Sequence, residues 1–231
     1  MEIKLLRANV GDAKKLQEIL LSLSGFVIFW AVVTDAWGYS GYLPVRYGSY
    51  IYAYLSRLIW VMPAIWMIFR HSDSLNYDRK QLFSRPVLNR SFVIVLSVSF
   101  LISFGIMLVN HKGFWLNPEV NCPLEIIKFA AVGFVEEAVF RGWGYNALSK
   151  VTTGKKAVIF STVFFVLLHW PAYFIRLYRF EVLDDSALLT QSISAAIWGV
   201  VCCWLLKKGK TLWNPVIAHA VYDVLNVLLV G

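Results

Sequence analysis

Charge is scarce in this chain. Charged side chains make up 16% of its 231 residues, against about 25% in an ordinary soluble domain. Cysteine is scarcer still: three residues cannot build a disulfide scaffold. There is no Gly/Ser linker, low-complexity tract or internal repeat, and the low polarity excludes disorder. No ten-residue alternation of apolar and polar positions occurs, which argues against a membrane β-barrel. Three protease signatures are missing as well: His-Glu-x-x-His, Gly-x-Ser-Gly and Gly-x-Gly-Asp. What is present is apolar: 58% hydrophobic residues, with 10 Trp, 11 Tyr and 16 Phe. A soluble domain of this size cannot hide so much apolar surface. The net charge of +8 would suit a nucleic-acid binder, but the basic residues sit in short clusters between long apolar runs. That pattern points to membrane lipid, with no nucleic-acid partner.

Seven apolar stretches recur: Ile19–Ala36, Tyr50–Phe69, Phe92–Val109, Leu124–Tyr145, Ala157–Tyr178, Ala187–Leu206 and Leu212–Val230. Each approaches the ~20 residues that a helix needs to cross the hydrocarbon. The first carries Asp35 near its end and follows a polar stretch from Gly11 to Glu18, so it does not resemble a signal peptide. The fold expected is therefore all-α: a polytopic membrane helix bundle of about seven transmembrane helices. If the N-terminus is cytoplasmic, 15 of the 22 Lys and Arg residues fall on the cytoplasmic side. Four, Arg46, Lys112, Arg176 and Arg179, fall on the other side. The remaining three, Arg57, Lys128 and Arg141, lie inside spans. Every inside segment carries more positive charge than every outside one, as expected for N-terminus in and C-terminus out. Cys122 lies near the outer surface, and the adjacent Cys202 and Cys203 are expected to be small apolar fillers rather than a bridge.

Ionisable groups within a span cost roughly 2.5–3.5 kcal/mol each, so they need a reason. The fourth span holds Glu136, Glu137 and Arg141. The fifth holds His169, followed by Trp170 and Pro171, where the helix is expected to kink or end. The seventh holds His219, Asp223 and Asn226. Glu137 and Arg141 are four apart and can pair on one face, whereas Glu136 has no partner on its own helix. His219, Asp223 and Asn226 form one polar stripe. At about 1.5 Å per residue, Glu136, His169 and His219 lie roughly 14, 18 and 10 Å from the inner ends of their spans, a common depth in the cytoplasmic half. Taken singly, each group has a structural explanation: a salt bridge, or a hydrogen bond between helices. Their shared depth argues for a site.

A carboxylate and two histidines in a protected pocket suit the activation of water. A carboxylate shielded from bulk water is a stronger base near neutral pH. One histidine can share that water, and the other can stabilise an amide oxyanion. Two His and one Glu are also a common catalytic zinc set. In residues 1–110 only Arg57 is unusual; it can pair with Asp35 or reach a watery cavity.

The ordered set Glu136-Glu137-x-x-x-Arg141, Phe165-x-x-x-His169 and His219-x-x-x-Asp223 resembles the three-motif pattern of the type II CAAX prenyl endopeptidase and bacteriocin-processing superfamily. The resemblance covers about residues 124–230. It implies an intramembrane endopeptidase of a bacterial or archaeal plasma membrane, acting on a membrane-associated or prenyl-anchored peptide or protein. It divides the chain into residues 1–110, without a motif, and 111–231, a catalytic core of four spans, within one integral domain. By motif position Glu136 and His169 activate the water. Glu137, Arg141 and Phe165 support them. His219 and the residue four later bind the oxyanion. That last residue is Asp223, where eukaryotic-type enzymes have Asn. An ionised Asp would repel an oxyanion, so it must be protonated, orient His219 or ligate a metal; Asn226 could supply an amide donor instead. No cofactor is expected to be required. Zinc on Glu136, His169 and His219 is the alternative. The competing readings are a transporter or proton-relay protein, and a non-proteolytic immunity or scaffolding member of the same family.

Overall fold

The computed structural model describes residues 2–40, 48–120, 122–179 and 184–230, without the side chains of residues 2–10, 34–40, 48–54, 122 and 179. Arg46 lies outside the described residues, as do the side chains of Lys4, Arg7, Asp35, Cys122 and Arg179, so the expected Arg57–Asp35 pair and the setting of Cys122 lie outside them too. The described chain is an all-α membrane helix bundle. Its long helices are α1 (Glu2–Ser40), α2 (Gly48–Arg70), α4 (Arg90–His111), α5 (Cys122–Glu137), α7 (Gly154–Phe174), α8 (Asp185–Gly209) and α9 (Trp213–Leu225). Two short ones, α3 (Arg79–Leu82) and α6 (Asn146–Val151), lie between them.

Among the described residues, five segments are long and apolar enough to cross a membrane: Gly11–Val33, Arg90–His111, Gly154–Tyr178, Asp185–Gly209 and Trp213–Val230. They coincide with the first, third, fifth, sixth and seventh expected spans. The polar stretch before the first span belongs to the same helix. The second span is helical as α2. The fourth is helical from Cys122 to Val151 but changes character within it.

Helix starts are written in the sequence. Asn89 accepts from the Phe92 N–H at 2.9 Å, Thr153 from Lys156 at 3.4 Å, and Asp184 from Ala187 at 2.7 Å. The Ala187 N–H and the Ser186 hydroxyl hold the exposed Asp184 carboxyl below the usual carboxylate range. α4 and α8 end on Lys112 and Lys210 in the left-handed conformation.

Three stretches switch from α to π hydrogen bonding: Ala138–Tyr145 after α5, Ile175–Arg179 after α7, and Asn226–Val230 after α9. The first is completely buried. Its wide turn is pressed against α1 and α2: a Cβ on Gly142 would lie 3.0 Å from Ile68, and one on Gly144 3.0 Å from Leu23. Pro171 does not end its helix. α7 runs on to Phe174 and passes into the π segment.

Small residues bring the site-bearing helices together. A Cβ on Gly133 would lie 2.9 Å from the Val216 carbonyl oxygen, so α5 touches the α9 backbone directly. A Cβ on Gly199 of α8 would lie 2.9 Å from Thr162 of α7. Two buried asparagines fasten the polar segment between α2 and α4. The Asn146 amide pairs with both N–H and C=O of Tyr77 at 2.7 and 2.8 Å, and the Asn214 amide does the same with Val87, both at 2.8 Å. Arg57 stands over the Trp30 ring, 5.2 Å from its centroid. Lys128, the second basic residue inside a span, pairs with Glu125 one turn earlier. Cys202 and Cys203 are buried free thiols.

Candidate active site

Glu137 is the fixed point of the site. It is fully buried at the end of α5. Its Oε1 accepts from Arg141 Nη1 at 3.1 Å and from His219 Nδ1 at 2.9 Å. Arg141, fully buried as well, donates its other terminal nitrogen to the Gly199 carbonyl at 3.1 Å. Its guanidinium lies 4.3 Å from the centroid of Phe165. The i, i+4 pair expected from the sequence is therefore present, and it reaches three other helices. Phe165 stands edge-on to His169 and His219, with centroids 4.8 and 5.9 Å away.

Both histidines are oriented by their Nδ1 atoms. A backbone carbonyl can only accept, so His169 Nδ1 carries the proton that it donates to Phe165 at 2.8 Å. His219 Nδ1 donates in the same way to the Glu137 carboxylate. The two Nε2 atoms then face Glu136. Glu136 Oε2 lies 3.9 Å from His169 Nε2 and 4.0 Å from His219 Nε2, and it is buried without a hydrogen bond. Asp223 Oδ2 lies 3.6 Å from His219 Nε2, close enough to orient the ring electrostatically and too far for a hydrogen bond. The structure thus brings Glu136, Glu137, Arg141, Phe165, His169, His219 and Asp223 together. Asn226 stands apart. It opens the π segment, and its backbone N–H donates to the Asp223 and Tyr222 carbonyls.

Among the described residues, no group of three or more His, Cys, Asp or Glu side chains is arranged to hold a metal ion. The distances give the reason. A tetrahedral zinc with bonds of about 2.0–2.1 Å holds its ligand atoms roughly 3.4 Å apart, and the gaps of 3.9 and 4.0 Å are wider. A water making hydrogen bonds of about 2.8 Å to each side at a tetrahedral angle spans roughly 4.6 Å, so the gaps lie between the two geometries.

An aromatic wall stands beside the histidines. Trp198 of α8 lies 6.1 Å from His219 and stacks on Tyr222 of α9 at 4.5 Å. Tyr173 lies 5.8 Å from His169. Its spacing was available, since Tyr173 is four residues after His169 and Tyr222 three after His219. Trp198 carried no such signal.

Fold and site together define an integral membrane protein that buries a carboxylate between two histidine rings, each held by its Nδ1. Residues 119–225 match the Rce1-like family, type II CAAX prenyl endopeptidase Rce1-like. That match, to a protease family, covers just under half of the chain and supports a likeness to the CAAX prenyl endopeptidase and bacteriocin-processing superfamily. No curated protein and no solved structure matches the chain.

Proposed function

We propose that this chain is a metal-independent intramembrane endopeptidase that hydrolyses a peptide bond in a membrane-associated or prenyl-anchored peptide. The observation that carries the reading is the unpartnered Glu136 Oε2 facing two imidazole Nε2 atoms. Water held between Glu136 and His169 attacks the scissile carbonyl. Glu136 accepts its proton and passes it to the leaving amine. His169 is locked with its Nε2 lone pair toward the water. His219, as an imidazolium, donates Nδ1–H to Glu137 and Nε2–H to the oxyanion. Glu137 and Arg141 hold His219 in place, and Asp223 orients it. The family name supports a prenylated peptide as the substrate class.

Mapping cut sites across a membrane proteome with wild-type protein and with Glu136→Gln tests the reading. Wild-type cuts should vanish in the variant. Cuts that persist unchanged would return the chain to the transporter or scaffold reading.

The charge distribution supports a cytoplasmic N-terminus and an external C-terminus. Ser72 and Asn117 are engaged in hydrogen bonds, so the exposed neighbours Asp73 and Glu119 are better labelling positions. In a Cys122→Ala background, intact cells should label Glu119→Cys and not Asp73→Cys. The reverse would overturn the orientation.

A further inference from the structure

Gln191, Ser194 and Trp198 recur at i, i+3 and i+7 and so share one face of α8. Two contacts set this face against α9. Trp198 is level with His219, and Ser194 Oγ lies 3.2 Å from the Tyr222 hydroxyl. The helices are antiparallel, so the same register continued outward brings Gln191 level with Asn226. The Trp198 indole nitrogen and the Gln191 amide oxygen are both buried without a hydrogen bond. Buried polar atoms in native proteins are ordinarily paired, and in a bilayer the cost of leaving them unpaired is higher. Their alignment beside His219 gives them a common purpose.

We infer that the seam between α8 and α9, from Trp198 and His219 outward past Ser194 and Tyr222 to Gln191 and Asn226, is the cleft that holds the substrate's extended backbone on one side of the scissile bond. The inference rests on the endopeptidase reading and adds a subsite to it. From Gln191 to Trp198 α8 rises about 10 Å, the length of roughly three extended residues at 3.3 Å each. A peptide in a membrane bundle needs donors and acceptors for its own N–H and C=O groups, and the seam supplies the unpaired Trp198 indole N–H and Gln191 amide oxygen beside two hydroxyls bonded to each other. The protein already uses this chemistry twice: Asn146 and Asn214 each grip both backbone groups of one residue through a side-chain amide. Gln191 and Asn226 would do the same for substrate, while the Trp198–Tyr222 stack keeps the cleft rigid.

The test uses the full chain in lipid vesicles, with a peptide spanning the strongest cut site in the proteome map as probe. Trp198→Phe removes the N–H and keeps the stacking ring; Gln191→Leu removes the amide and keeps the volume. Each should raise KM about tenfold, the effect of one lost hydrogen bond, with kcat within about threefold and Tm unchanged. That split marks lost binding rather than lost chemistry. Truncating the probe on one side of the cut should abolish the difference between Gln191→Leu and wild type. KM unchanged in both variants overturns the cleft and leaves the endopeptidase standing, and so does a lower Tm without a change in KM. A cut map that Glu136→Gln leaves unaltered overturns the endopeptidase and the cleft with it. If Trp198→Phe fails to fold, Gln191→Leu decides alone.

Discussion

Glu136 and Glu137 are consecutive on one helix, identical in chemistry, and placed in opposite circumstances. Glu137 faces the ion-paired side of the bundle: its Oε1 takes both a guanidinium and an imidazole, while its Oε2 is buried without a hydrogen bond. Glu136 faces an open side, with an oxygen that no protein group satisfies and two imidazole nitrogens about 4 Å away. A rotation of about 100° along the helix separates a carboxylate bound to a guanidinium and an imidazole from one that only faces two imidazoles. On the proposed reading, Glu136 can be replaced without directly disturbing the ion pair that Glu137 makes.

The largest effect expected is at Glu137. Glu137→Gln leaves the fully buried Arg141 without its counter-charge and loosens His219. Breaking one partner of a buried pair costs about 3–5 kcal/mol, so Tm should fall by several degrees and activity should be lost with it. A variant as stable as wild type would mean that the ion-paired side is not what holds the bundle. Glu136→Gln should do the converse. It keeps shape and burial and removes the proton acceptor. It should lower kcat by a factor on the order of 100 or more, leaving thermal unfolding unchanged. Equal destabilisation by the two variants would erase the distinction drawn here.

Much of this arrangement was legible in the sequence, for a reason with limits. Spacing within a helix is fixed, so the Glu137–Arg141 pair and the separation of Glu136 from it followed directly. Depth along a span is fixed too, which is why Glu136, His169 and His219 could be expected to meet. Contacts between helices depend on rotation and close approach, and these the sequence does not state. The bond from Glu137 to His219 needs α5 and α9 in backbone contact at Gly133, and a lone glycine in an apolar run does not announce that. Irregular turns are not written in spacing either: α9 stays regular through Leu225, so Asn226 keeps its i+7 register, and the π segment begins only there. After Pro171 the α-helix lasts to Phe174 and then widens into a π segment instead of ending.

A smaller effect is expected at Asp223. At 3.6 Å from His219 Nε2 its carboxylate orients the ring without a hydrogen bond. Asp223→Asn removes the charge and keeps the shape, and kcat should fall by about tenfold, the scale of a weakly screened charge interaction near 1–1.5 kcal/mol. Full activity in Asp223→Asn, with less sensitivity to high pH, would show instead that Asp223 works as a neutral hydrogen-bond donor.

The smallest effect expected is from chelation, and it bears on the open side of the site alone. If Glu136 and His169 activate water unaided, exhaustive treatment with a membrane-permeant zinc chelator should leave kcat and KM unchanged, and added zinc should not raise them. Closing gaps of 3.9 and 4.0 Å to the roughly 3.4 Å of a tetrahedral site would fall mainly to Glu136, whose Oε2 no hydrogen bond holds. His169 is tied to the Phe165 carbonyl on its own helix and His219 to Glu137 across the bundle, so neither ring shifts without straining a bond that sets its tautomer. Activity lost on chelation and restored by stoichiometric zinc would show that the site closes by that amount around a metal. The open side of α5 would then be a ligand set, and Glu136→Gln would lower zinc content together with turnover.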